Sequence, residues 1–122
     1  MVWQKDFELG VEQIDKTHEE FIGLLSIAQN SSKAELTEVF AKIISHTKAH
    51  FKSEQEMMQE ISLSSQKEHT DEHDKLLFEM DYFSKHPLML RSYINERLPE
   101  WFKLHIATMD AALAAAVKNK NT

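Results

Sequence analysis

The stretch KAELTEVFAKIISHTKAHFKSEQEMMQEI, residues 33–61, decides the fold. From Leu36 the chain steps by four and three residues through Phe40, Ile43, Thr47, His50, Glu54, Met57 and Ile61. A stripe with that period is one face of an amphipathic helix, whereas a strand would alternate every second residue. Ser32 followed by Glu35 has the spacing of a capping box, which opens the helix at 33. The stripe is apolar in its first half. In its second half a histidine and a glutamate stand where a helix bundle places leucine.

Working outward, the same period recurs three more times. Towards the N-terminus, His18, Phe21 or Ile22, and Leu25 predict a helix over about 15–30, with Asp15 or Thr17 at its start and Thr17–Glu20 as a capping box. Residues before it, with Trp3, Phe7 and Gly10, show no sustained period and read as an arm over about 1–14. Towards the C-terminus, His69, His73, Leu76, Met80 and Phe83 predict a helix over about 65–86, opened by Ser65–Glu68 and closed ahead of Pro87. A fourth helix, about 88–118, carries Ile94, Leu98, Trp101, His105 and then Thr108 or Met109 on its stripe. Its alanine-rich end favours helix, and Pro99 predicts a kink or break within it. Short connections between four such helices give an all-α, up-down-up-down four-helix bundle, one domain over 1–122.

Composition narrows the function classes. The formal net charge is −6, without a basic run, which argues against nucleic acid or an anionic membrane as partner. No apolar run approaches the roughly 20 residues of a membrane span. The opening residues lack the layout of a secretory signal, so a soluble, cytoplasmic monomer is expected. Cysteine is absent, which excludes disulfides and thiolate sites for zinc or iron–sulfur clusters.

The histidines carry the chemistry. His18, His50, His69, His73 and His105, with Glu54, occupy apolar-stripe positions on four separate helices. Burying such groups without partners costs roughly a few kcal/mol each, a large share of a domain's stability. A metal ion compensates, because imidazole and carboxylate together suit iron, manganese and zinc. His50 and Glu54, like His69 and His73, are four residues apart and share a helix face. Either pair alone is most often an ion pair or a chance occurrence on a helix surface; the recurrence on four stripes points to a metal centre in the bundle core. His86, just before Pro87, reads as a residue that complements the helix dipole. His46, one turn before His50, reads as a packing or supporting residue, although its spacing leaves a ligand role open.

These motifs resemble the hemerythrin family over almost the whole chain. Trp3, Gly10-Val11 and Ile14-Asp15-Lys16-Thr17-His18 are similar to the opening of single-domain bacterial hemerythrins. His50-Phe51-Lys52-Ser53-Glu54 resembles the family's His-x-x-x-Glu, and His69-Thr70-Asp71-Glu72-His73 its His-x-x-x-His. Residues 101–110, WFKLHIATMD, resemble its closing Trp-x-x-x-His-x-x-x-x-Asp. The resemblance implies two iron ions joined by an oxo or hydroxo bridge. His69, His73 and His105 would hold one iron, His18 and His50 the other, with Glu54 and Asp110 bridging both. Asp110 enters through the resemblance alone: five residues beyond His105 it lies about 140° away around an ideal helix, where Thr108 or Met109 would be the geometric choice.

The implied activity is reversible binding of molecular oxygen, for carriage, storage or delivery, rather than catalysis. A sensor acting through a separate partner and a di-iron enzyme (oxidase, peroxidase or nitric oxide processing) are the alternatives. Five histidines against two carboxylates favour binding over oxidation. Phe102, Ile22 and Leu25 are expected as pocket walls, and Trp101 reads equally as a wall or as a core residue. The chain departs from the family in having Phe102 where leucine is common, His46 where many relatives have an aromatic residue, and Pro99 ahead of the closing motif.

Overall fold

The computed structural model describes residues 1–120. Four helices follow an N-terminal arm that contains a short 3-10 turn, Lys5–Phe7: α1 (Glu12–Gln29), α2 (Lys33–Glu60), α3 (Gln66–Ser84) and α4 (87–120). Helix α1 packs on α2, α2 on α3, and α3 on the start of α4, which returns against α1. The result is an all-α four-helix bundle, with no strand among the described residues. No described helix is long and apolar enough to cross a membrane.

The helix starts follow local chemistry, not always as expected. At α2 the Ser32 side chain accepts from the Glu35 backbone N–H at 3.3 Å, and its hydroxyl donates to Glu35 Oε1 at 2.7 Å. Ser65 caps α3 without a side-chain bond. Helix α1 begins earlier than Asp15, and Thr17 is no cap: it lies inside the helix, donating to Gln13 O at 2.8 Å. Asp15 instead reaches back, accepting from Leu9 N and Gly10 N at 2.8 and 3.0 Å. Those bonds fix the turn at Gly10, whose φ of 84° is disfavoured for other residues. Lys118 then ties the arm to the end of α4 by donating to Leu9 O at 2.8 Å. Arg91 closes the C-terminus of α1, donating to the carbonyls of Ala28, Gln29 and Ser31, where orphan acceptors and the helix dipole favour a cation.

Pro99 does not break α4. Ahead of it lies a π-helical turn, Tyr93–Arg97, so the wider backbone absorbs the clash a proline ring makes with the carbonyl four residues back. A second π-helical turn spans Ile106–Asp110. There Thr108 Oγ1 donates to Leu104 O at 2.7 Å, engaging the carbonyl that its own N–H would take in an α-helix.

The stripe on α2 shifts after Glu54: Met58 is fully buried and Met57 only partly. A helix of 3.6 residues per turn drifts away from a strict seven-residue repeat, and the drift shows by the last turns of α2. On α4 Phe102 is buried and Trp101 half-buried. The apolar core has two parts. A large one is built on residues such as Phe21, Phe40, Leu76, Ile94 and Phe102, and a small one on Ile14, Met58, Leu113 and Ala114. Along α1, Ile14 and Phe21 flank His18; along α2, Phe51 and Met58 flank Glu54; along α4, Ile106 and Leu113 flank Asp110. The buried polar residues thus form a layer between the two apolar parts.

Candidate metal centre

Each helix contributes to that layer: His18 from α1, His50 and Glu54 from α2, His69 and His73 from α3, His105 and Asp110 from α4. All are buried. They converge on two overlapping donor groups, Glu54, His69, His73, His105 and Asp110 in one, and His18, His50, Glu54 and Asp110 in the other. Glu54 and Asp110 belong to both.

The carboxylates straddle the two groups oxygen by oxygen. Glu54 Oε1 lies 3.1 Å from His69 Nε2 and 3.3 Å from His73 Nε2, while Oε2 lies 2.6 Å from His50 Nε2. Asp110 Oδ1 lies 3.0 Å from His69 Nε2 and 3.1 Å from His105 Nε2, while Oδ2 lies 2.8 Å from His18 Nε2. His73 Nε2 and His105 Nε2 face one another at 3.0 Å. The π turn explains how Asp110 arrives. Bonds that close at i→i+5 bring residues five apart to the same side, so Asp110 joins His105 while Thr108 is exposed and Met109 only partly buried.

Burial by itself would raise the carboxyl groups' pKa. The histidines override it: His50, His69 and His73 hold Glu54 well below the usual carboxylate range, and His105, His18 and His69 do the same for Asp110. In return, Asp110 and Glu54 outweigh the burial of His69 and lift it to about 9; Asp110 and Glu72 outweigh that of His105 and raise it too. Burial, with His105 and His69 nearby, pushes His73 down. Yet both Asp110 oxygens, Glu54 Oε2 and His18 Nε2 lack an aligned hydrogen bond despite these short separations. Donor atoms that crowd a common point without pairing directionally are what a pair of cations would require. The residues therefore fit a di-iron site.

Aromatic rings roof the cluster. Phe51 stacks on His73 at 3.6 Å, Trp101 on His105 at 4.4 Å, and Phe102 sits edge-on to His18 at 5.4 Å. A cavity of about 20 Å³ lies among Phe21, Thr47, His50, Phe51, Leu76, Trp101 and Phe102. Ile22 and Leu25, expected as walls, are buried elsewhere in the core. Two contributors were missed in the sequence. Phe51 lies between the stripe positions, and Glu72, whose Oε1 accepts from His105 Nδ1 at 2.8 Å, looks like one more surface glutamate. His46 stays outside both donor groups, and burial beside His50 lowers its pKa. His86 lies outside them too, its Nδ1 2.7 Å from Tyr82 O in the last turn of α3.

Fold and site together define a helical-bundle protein with a buried histidine–carboxylate centre suited to two iron ions. Comparison with known proteins agrees. The chain is 28% identical over 112 residues to a bacteriohemerythrin of Ralstonia nicotianae, covering 88% of this chain and 82% of that protein. It is 29% identical over 125 residues to a bacteriohemerythrin of Stenotrophomonas maltophilia (97% and 82% covered), and 26% over 126 residues to one of Pseudomonas paraeruginosa (98% and 82% covered). No family model and no solved structure matches the chain. The chain is thus similar to bacteriohemerythrins along nearly its full length.

Proposed function

We propose that this chain is a non-haem di-iron protein that binds molecular oxygen reversibly, and is not an enzyme. One observation carries the reading: Glu54 and Asp110 each present one oxygen to each donor group. His69, His73 and His105 would hold one iron, and His18 and His50 the other, with the two carboxylates shared. Ferrous ions so held supply the two electrons that reversible attachment of oxygen requires.

The groups are unequal, five donors against four, and the cavity adjoins His50, on the four-donor side. Its size is roughly what one small molecule needs. Besides His50 the lining is uncharged, and the Thr47 hydroxyl is engaged as donor to Ile43 O at 2.8 Å. Apart from His50 the walls thus offer no titratable group to a bound ligand, which favours release of oxygen unchanged over its reduction. The chain would act as a single bundle domain, with residues 1–11 as an arm along α1, from Gln29, which the Met1 ammonium binds, to Lys118.

The test is an optical spectrum of protein loaded with ferrous iron under inert gas. Oxygen should bring up visible absorption that purging abolishes over repeated cycles. Steady consumption of oxygen and reductant, with no recoverable oxygenated form, would favour a di-iron enzyme.

A further inference from the structure

The histidines of the centre are not supported alike. His105 Nδ1 donates to Glu72 Oε1 at 2.8 Å. His18 Nδ1 and His69 Nδ1 are buried without a partner. The Glu72 bond sets the His105 tautomer, because a proton on Nδ1 leaves the Nε2 lone pair facing Asp110 and His73. With Trp101 stacked 14° from parallel on the same ring, His105 is held both in plane and in rotation. Glu72 sits on α3 directly before His73, so one helix supplies both a donor of the group and the support for its neighbour on α4. Its carboxylate is partly exposed.

We infer that Glu72 is a positioning residue that makes the two metal positions unequal, strengthening His105 as a donor so that the five-donor group takes the first metal ion and favours its ferric state. The inference rests on the di-iron reading. A carboxylate on the outer nitrogen raises the basicity of the inner one. That interaction adds to a group that already has one more donor than the other, so the difference between the positions is built twice.

The experiment is a titration of the metal-free full chain with ferrous iron under inert gas, against a competing chelator, followed by redox titration of the loaded protein. The native chain should bind two ions in distinguishable steps. Glu72→Leu should weaken the tighter step by about 10–100-fold, the usual effect of losing such a partner, and leave the weaker step within about twofold. Glu72→Gln keeps an acceptor oxygen without the charge. It should recover most of the affinity, while the reduction potential of that ion stays higher than in the native chain. If both steps weaken together, in proportion to a lower melting temperature of the metal-free variant, Glu72 serves the fold and the inference fails. Native affinity and potential in Glu72→Leu would also overturn it. A native chain that binds fewer than two ions would instead overturn the di-iron reading beneath.

Discussion

At the scale of single residues, Glu54 has the most to lose. Its two oxygens meet three imidazoles within 3.3 Å, and no other group on α2 can replace them. Glu54→Ala should therefore reduce iron content from two ions per chain to one or none. Without metal, it should cost on the order of 3 kcal/mol, because imidazoles that had an anionic partner are left buried without one. His86→Ala is the matching control: His86 is exposed at the end of α3, so iron content and spectrum should stay unchanged. Metal analysis and a melting curve of each variant decide the matter. Full iron in Glu54→Ala would show that the carboxylate shared by the two groups is not what pairs the metals.

At the scale of elements, the π turn at Ile106–Asp110 does what an α-helix cannot. Asp110 would point about 140° away from His105 on an ideal helix, and the turn brings it to the same face. The double variant Met109→Asp with Asp110→Met puts the carboxylate where an α-helix would want it. If the turn is intrinsic, this variant should lose at least one iron, as measured by metal analysis. If it binds two, the turn follows the carboxylate and not the reverse. The example also marks what was legible in advance. His18, His50, Glu54, His69, His73 and His105 fall on stripes of regular period, so helical spacing alone found them. Asp110 breaks the period and needed the family resemblance. The start of α1 was misread because Thr17–Glu20 satisfies a capping pattern inside a helix that Asp15 and Gly10 begin earlier. Met58 was misread because seven-residue counting overruns a helix of 28 residues. Glu72 and Phe51 were not found, since neither spacing nor polarity marks a residue that acts on its neighbour's ring.

At the scale of the molecule, a layer of charge divides the apolar core, and its cost depends on what neutralises it. In the metal-free protein, protons do part of that work. His69 is raised from 6.5 to about 9, and His105 is raised as well. A histidine whose folded pKa is raised contributes stability that is complete below its unfolded pKa and disappears as pH rises through the folded one. His73 is shifted down, so its contribution changes below about 6.5, outside this window. Glu54 and Asp110 are depressed, and their stabilisation is lost only as pH falls below the ordinary carboxylate range. The melting temperature of the metal-free protein should therefore decline between about pH 6.5 and 9. Iron would take the place of those protons, because a ligating imidazole must give up the proton on its inner nitrogen. Loaded protein should show little dependence over the same range. Iron binding within it should also release protons, measurable as a heat that varies with the ionisation enthalpy of the buffer. A metal-free protein with a flat melting profile from pH 6.5 to 9 would mean that the His69–Asp110–Glu54 cluster is not ion-paired without metal, and that cations are not needed to balance it.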